Sequence, residues 1–582
     1  MRHDLVTRWG RDVDPERPLP EYPRPQLVRD SYLNLNGWWD YAIAPADAPR
    51  PTSYDGRIVV PFSPEASLSR VGRQLGRDEQ LVYRRHVTLP AGFVPPRGRV
   101  LLHFGAVDQT CTVLLDGEPV GANEGGYLPF TVDATALADG AEHELVVVVR
   151  DLSDGHQHAS GKQRIAHGGI WYTPQSGIWQ TVWVEAVPEV HVERLVLVPH
   201  LDEATVEVTV HAAHGDAVVR LEGRETTVPV NVATRLPVEH LRPWSPEDPH
   251  LYDLSVRLYD DRVTSYVAMR SVAVGPDATG TPRLLLNGRP YFHAGVLDQG
   301  YWPDGLLTAP SDEALVDDVA TMKRLGFTVL RKHLKVEPLR WYHHCDRLGM
   351  LVWQDLVNGG GGYRTWAVTL PGRLPIHVDD TRRPAPLGRA DLAGRALFRE
   401  EMRRTVELLR SVPSLVLWVP FNEGWGQFDA AAVAAELAAL DPTRPVDHAS
   451  GWHDQGGGDL VSRHVYGRRF RVPRRRDGRV LALTEYGGRP MRVEGHVHDD
   501  EVSFGYGKGG SVDDLTATFR RLHEHELLPA VPQGLSATVY TQLSDVEEEL
   551  NGLLTYDREV LKVDEAVVRD VLERLRAALP AT

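Results

Sequence analysis

Between about Tyr32 and Val187, hydrophobic positions recur in short alternating runs broken by turn residues. Val100, Leu102 and Phe104 alternate with their neighbours, and Leu145 to Arg150 and Thr181 to Glu185 read as further strands. Cys111 to Leu115 and Glu118 to Val120 flank Asp116-Gly117, a dipeptide whose residues tolerate the positive φ of a tight hairpin. The pattern predicts a jelly-roll-like β-sandwich preceded by a proline-rich, extended N-terminal segment, together residues 1–187. Val192 to Val198 opens a second β region. Val206, Val208 and Val210 alternate, as do Leu254, Val256 and Leu258. Residues 188–275 have the length of an immunoglobulin-like sandwich but lack a cysteine pair. Pro276 to Pro282 reads as a linker.

From there the period changes to β-then-α over residues 276–582. Strands are predicted near 291–297, 328–333, 351–356, 415–421, 446–450, 461–466, 480–484 and 536–541. Helices are predicted over 311–325, 337–348, 391–411, around Val433 to Leu440, 513–528 and 560–577, with a Gly/Pro/Arg-rich insertion at 357–390. Such alternation predicts a (β/α)8 TIM barrel, so the fold class is a multidomain chain of two β-sandwiches and a C-terminal barrel.

Composition narrows the function. The chain has 582 residues and only two cysteines, Cys111 and Cys345, which excludes a disulfide scaffold. Fourteen Trp, 19 Tyr and 12 Phe argue against disorder. A net charge of −16 makes nucleic acid an unexpected partner, and the run Arg474-Arg475-Arg476 reads as a solvated loop. No apolar run approaches the ~20 residues that cross a bilayer, so no membrane association is expected. The N-terminus carries no apolar leader segment, which makes the cytoplasm the expected compartment.

Catalytic groups in a TIM barrel gather at the C-terminal ends of the strands. Val416 to Phe421 runs into Asn422-Glu423, and Val480 to Thr484 runs into Glu485-Tyr486. These strands count as fourth and seventh and face each other across the mouth. Carboxylates there cost desolvation unless they are paired or used. Paired opposed carboxyls are what glycoside hydrolysis needs, one to protonate the leaving oxygen and one to attack.

Four further segments occur in order. They are Leu35-Asn36-Gly37-Trp38-Trp39, Ser176 to Trp183 (SGIWQTVW), Trp244 to Tyr252 (WSPEDPHLY) and Leu286-Asn287-Gly288-Arg289-Pro290. With Asn422-Glu423 and Glu485 they make the chain resemble glycoside hydrolase family 2, the family of β-galactosidases, β-glucuronidases and β-mannosidases. The resemblance implies a sugar-binding jelly roll, an immunoglobulin-like sandwich and a catalytic barrel. It implies Glu423 as general acid/base and Glu485 as nucleophile of a retaining, exo-acting double displacement. It also implies that Asn422 bonds the sugar 2-hydroxyl, that Arg331 keeps the nucleophile ionised, and that Tyr466 orients it. His464, in Arg463-His464-Val465-Tyr466, joins the substrate-binding set. Asp298, Trp302, His333, Asp355 and Gln542 follow other barrel strands and are expected to grip the terminal sugar, and Trp425 to stack on a sugar face.

The chain departs from familiar members in two places. Gln542 stands where these barrels often place a tryptophan, and no clear Asn-x-Lys pair for a uronate is present, Lys508 being a poor substitute. A β-galactosidase-like activity is the first expectation, with arabinopyranoside, glucuronide or galacturonide, and mannoside as alternative glycones. A non-catalytic carbohydrate-binding protein and a barrel enzyme of other chemistry remain open. No cofactor is expected to be required. Some β-galactosidases of the family use magnesium or sodium, whose ligands cannot be placed here, so no metal ligand is assigned. His156, His158 and His167 fit no compact zinc pattern. Their Gly-rich loop, Gly155 to Gly169, is expected to reach the barrel mouth and help close a pocket. Carbohydrate is the expected partner, and the resemblance leaves room for a homo-oligomer.

Overall fold

The computed structural model describes residues 5–374, 376–473, 477–507 and 509–580. Lys508 and Arg474-Arg475-Arg476 lie outside the described residues. The proline-rich start is not wholly extended. Arg8–Arg11 forms one helical turn, because Thr7 caps it by accepting from the Gly10 amide at 2.9 Å. Thr7 also donates through its amide and hydroxyl to Asp304, which pins this segment to the barrel.

A four-stranded sheet (Tyr32–Asn34, Val182–Val187, Arg99–Phe104, Phe130–Asp133) packs on a six-stranded one, within which Thr110–Leu115 and Glu118–Glu124 form the hairpin turned by Asp116 and Gly117. Both turn residues have positive φ, 51° and 87°, as the dipeptide requires. Trp39, Leu81, Tyr83, Leu102, Val113, Val147 and Val184 interdigitate between the sheets. The second sandwich pairs a three-stranded sheet with a four-stranded one. Val206, Val208, Val210, Leu254, Val256 and Leu258 point inward at every second position, as the pleat dictates. Buried Arg29 joins the two sandwiches, donating to Glu185 of the first and bidentately to Asp261 of the second.

The segment read as a linker is instead a β-hairpin. Val272–Pro276 pairs antiparallel with Pro282–Leu286. Asp277 Oδ1 accepts from the Thr279 and Thr281 amides, and its Oδ2 from buried Arg283 at 2.9 Å. Arg283 also donates to the Leu535 and Val531 carbonyls, so the hairpin is bonded to the base of the barrel. Leu284 and Leu286 pack there with Val329, Leu351, Val416, Val480 and Ala537. Turn-forming residues predict a break in regular structure equally for a linker and a hairpin, and only the long-range bonds separate the two.

Seven parallel strands form the barrel wall in the order Leu415–Val419, Leu351–Asp355, Val329–Lys332, His293–Asp298, Leu535–Thr541, Val480–Gly487, Leu460–Val465. The strand expected at 446–450 is only two isolated bridges, Trp418 with Val446 and Asn422 with Ser450. Residues 446–450 nonetheless occupy the fifth position between the fourth strand and Leu460–Val465, since Ser462 donates to the Ala449 carbonyl. The last expected helix but one ends at Leu522 and continues as a π turn over His523–Leu527.

Candidate active site

Arg331 lies at the centre of the mouth, fully buried, and all five of its donor directions are used. Nε and Nη2 clasp Asp355 at 2.9 and 3.1 Å, Nη1 donates to Glu485 Oε1 (3.2 Å) and the Thr484 carbonyl (3.1 Å), and Nη2 also donates to Asn422 Oδ1 (2.7 Å). Taking the Asn422 oxygen fixes the amide's orientation and leaves Asn422 Nδ2 buried with no partner among the described residues. Strand alternation puts Arg331 inside the barrel and its neighbour Lys332 outside.

That alternation removes Asp298 from the sugar-gripping set. Asp298 accepts from Lys332 at 2.6 Å within a buried network with Glu337 and Lys335 behind the wall. Trp302 is also not at the mouth. It is packed edge-on to Trp9 and under the Arg558 guanidinium, 4.1 Å away. Asp355 is at the mouth, where its oxygens accept from Arg331 and from His333 Nδ1 (2.6 Å), so it holds these two side chains in place. Burial drives His333 well below its ordinary pKa, so the ring is neutral, donates from Nδ1 to Asp355 and turns an acceptor Nε2 away from it.

Glu485 sits at the end of Val480–Gly487, its side chain 7% exposed. Its Oε2 accepts from the Tyr466 hydroxyl at 2.7 Å, and Tyr466 is stacked on Tyr506 with ring centroids 3.8 Å apart. Burial alone would raise the Glu485 pKa. His464, Arg331 and the Tyr466 hydrogen bond outweigh it and hold this carboxyl below the usual range.

Glu423 follows the fourth strand with φ 49°, a left-handed conformation costing about 1–2 kcal/mol for a side-chain-bearing residue. The bond from its amide to the Ser450 carbonyl (2.9 Å) holds it there. Burial, then the charge of Glu485, pushes its pKa up. His464, expected to touch substrate, instead bonds Glu423 Oε1 through Nδ1 at 2.8 Å and lies 3.4 Å from Glu485 Oε2. Behind it the Ser450 hydroxyl donates to Thr484 Oγ1, so His464 Nε2 donates to Ser450 Oγ. One oxygen of each glutamate and a ring nitrogen of His464 lie within 4.8 Å of one another. The same spacing would admit a cation, which would occupy both carboxyls.

Opposite shifts in two facing carboxyls predict a bell-shaped pH profile of kcat/KM. Activity falls at low pH as Glu485 takes a proton and at high pH as Glu423 loses one. Replacing His464 by Phe removes the partner that lowers both, so both limbs move to higher pH; initial rates from pH 4 to 10 check this.

Gln542 lies at the end of the eighth strand and accepts from Gln299 at 2.7 Å. Its Nε2 is a second buried amide with no partner among the described residues. Trp425 is 3% exposed and contacts His333 (6.2 Å) and Trp171 (5.1 Å).

The sandwich loop does reach the mouth. Ser160 and Gly161 amides donate to the Asn358 carbonyl, at 2.9 and 3.0 Å. Gly161, at φ 56°, passes so close to the Leu334 carbonyl that a Cβ would stand 2.8 Å from it. Thr173, Gly169 and the Tyr172 hydroxyl donate in turn to Glu547, Glu548 and Glu549 of the loop after the eighth strand. His156 and His158 stack on each other, with His158 bonded to Glu124, while His167 bonds the Ile165 carbonyl. This loop delivers Lys162 and Trp171, and the eighth-strand loop Glu549. None was singled out from sequence, since their position depends on contacts between distant parts of the chain. No helix of the described residues is long and apolar enough to cross a membrane.

Residues 189–272 match the family model Glycosyl hydrolases family 2, and residues 281–471 match its TIM barrel domain. The chain is 24% identical over 394 residues to a β-galactosidase of Leuconostoc mesenteroides and 27% over 409 residues to one of Aeromonas hydrophila. These matches take in 62% and 65% of the chain but only 34% and 37% of those longer proteins. Among solved structures, a β-D-glucuronidase of Dictyoglomus thermophilum superposes with a TM-score of 0.72 at 16% identity, covering 96% of this chain and 99% of that one. A family 2 β-galacturonidase from Eisenbergiella tayi, bound to galacturonate, superposes with 0.69 at 19%, covering 95% and 99%. At such identities these two establish the shared fold. Two family models matched in chain order, on an architecture of two sandwiches and a barrel, show that the chain belongs to glycoside hydrolase family 2.

Proposed function

We propose that the chain is a retaining, exo-acting glycosidase that removes a terminal sugar by double displacement, with Glu485 as nucleophile and Glu423 as acid/base. One observation carries the proposal. One oxygen of Glu423 lies within 4.8 Å of one of Glu485, and the two carboxyls carry opposite pKa shifts. Retaining enzymes hold their carboxyls at about 5–5.5 Å, whereas inverting ones need about 6.5–9.5 Å to seat a water. In the first step Glu485 Oε attacks the anomeric carbon as Glu423 protonates the departing oxygen. In the second, Glu423 takes a proton from water, whose oxygen displaces Glu485 and regenerates the free carboxylate. Asn422 Nδ2 and Gln542 Nε2, unpartnered buried amides at the barrel strand ends, are placed to donate to sugar hydroxyls, whose loss would leave them desolvated at a cost. Exo action is supported by the covering of the mouth by the sandwich loop and the 357–390 insertion.

A β-galactoside is the first glycone, on the likeness to proteins named β-galactosidase. Hydrolysis of a panel of p-nitrophenyl β-galactoside, β-glucuronide, β-mannoside, β-glucoside and α- and β-arabinosides tests this. One clear positive with retained anomeric configuration by NMR supports the assignment, and inversion or silence across the panel overturns it. Glu423→Gln is expected to slow alkyl glycosides by about 10²–10⁴-fold, the usual reach of general acid catalysis, and activated aryl glycosides far less in the first step. Equal losses on both substrates would remove Glu423 from the acid role.

A further inference from the structure

Five lysines lie among the described residues, and four are fully partnered. Lys332 meets Asp298 and Glu337 at 2.6 and 2.7 Å, and Lys335 meets Glu337 and two carbonyls at 2.7–2.8 Å. Lys562 meets Asp545 at 2.6 Å, and Lys323 the Pro246 carbonyl at 2.7 Å. Lys162 is the exception. It is 7% exposed, yet its ammonium has no carboxylate or carbonyl partner among the described residues. It has only ring faces, with Nζ 5.3 Å from the centroid of Trp425 and 5.5 Å from that of Tyr172. A lysine side chain this covered, with no anion beside it, is uncommon in a folded chain.

Its place identifies the use. Trp425 is two residues beyond Glu423, and the loop that carries Lys162 covers the mouth from the sandwich side, bonded to the Asn358 carbonyl through Ser160 and Gly161. Trp171 lies 5.1 Å from Trp425 and 6.2 Å from Tyr363, so half-buried rings lead from the mouth outward. Arg164, two residues from Lys162 on the same loop, lies 3.6 Å over Trp171, and it too has no carboxylate partner among the described residues. The Lys162 charge acts on Glu423 and His333. Aromatic faces suit the apolar side of a pyranose, and two unmatched cations beside them suit an anion.

We infer that Lys162, with Arg164, forms an anion-reading leaving-group subsite, so that the preferred substrates carry an acidic group on the sugar or aglycone released. The inference rests on the glycosidase proposal above and names the substrate class of that site. The anion is a carboxylate, as in a uronic acid unit, or a sulfate or phosphate ester; the chemistry shared is an exposed negative charge one residue beyond the scissile bond.

The test uses a matched pair with the glycone the panel identifies: the 4-carboxyphenyl glycoside and its neutral methyl ester. The wild type is expected to favour the carboxylate by about 10- to 100-fold in kcat/KM, the worth of one charge-assisted hydrogen bond. In Lys162→Met that ratio falls to near one, and in Lys162→Glu it inverts. Arg164→Leu lowers it in part. A wild type without preference, or a Lys162→Met variant that loses equally on both substrates, overturns the inference, since the lysine would then act only through Glu423. Inhibition of p-nitrophenyl glycoside hydrolysis by galacturonate, galactose 6-sulfate and galactose separates the sources. The stronger acid names the anion, and no advantage over galactose refutes the subsite. Should no glycoside be turned over, quenching of tryptophan fluorescence by the same acids still reads the site beside Trp425 and Trp171. Quenching by an acid that Lys162→Met abolishes supports it, and the absence of quenching overturns it while the catalytic proposal fails separately.

Discussion

Glu485→Ala is expected to lower kcat by about 10⁴-fold or more, or roughly 5.5 kcal/mol of transition-state stabilisation. On the proposed mechanism this side chain supplies the bond to the anomeric carbon, and the described residues offer no substitute. Asp355, the nearest other carboxylate bonded to Arg331, is held on both oxygens by Arg331 and His333 and is fully buried. The expected signature is rescue. Azide or formate should fit the space left beside Tyr466 and restore turnover of activated aryl glycosides, azide giving a glycosyl azide of inverted configuration. Fold is expected to be kept, because removing the carboxylate frees Arg331 Nη1 only partly, its bond to the Thr484 carbonyl remaining. Activity close to wild type would remove Glu485 from the nucleophile role.

Arg331→Met is expected to harm both stability and rate. Its guanidinium is the only cation bonded to Asp355 and Glu485 among the described residues, apart from histidine rings. Deleting one partner of a buried charge network costs about 3–5 kcal/mol, since the remaining charges stay desolvated. The urea midpoint of the barrel transition reads this loss. The pH dependence has a definite sign. In the wild type the depressed Glu485 pKa contributes stability that is present above the unfolded carboxyl value, near about 4.3, and lost as pH falls through the folded value. Without Arg331 that contribution shrinks and Glu485 titrates higher. The acid limb of kcat/KM therefore moves to higher pH, and Asn422 loses the bond that fixes its amide. A variant with an unchanged midpoint and acid limb would show that Arg331 neither holds the network nor tunes the nucleophile.

Much of the site was legible because its chemistry is local. Glu423 and Glu485 stand directly after apolar barrel strands, and a strand end at the mouth can be read from its own residues. Arg331 and Tyr466 follow the same rule, and the structure brings both to Glu485. The rule fails where direction matters more than position. Asp298 also ends a strand, yet faces outward to Lys332, and Trp302 packs into the wall with Trp9 and Arg558. A strand end says which rim a residue occupies; the face it presents depends on pleat and register. His464 shows a related limit. Its place on the sixth strand was visible, but the Ser450 and Thr484 hydroxyls behind its ring come from the fifth position of the wall and from the seventh strand.

The sequence by itself determined the three-part architecture, the strand-and-helix rhythm of the barrel and the paired glutamates, because periodicity, turn dipeptides and apolar strands are properties of neighbouring residues. The tertiary structure alone decided that Pro276 to Pro282 turns a hairpin onto the barrel base, that Asp355 clasps Arg331 and His333, and that Lys162 comes to Trp425 at the barrel mouth from a loop of the first sandwich. Each of these depends on bonds between residues far apart in the chain, and no local pattern encodes which distant partner a buried polar group will meet.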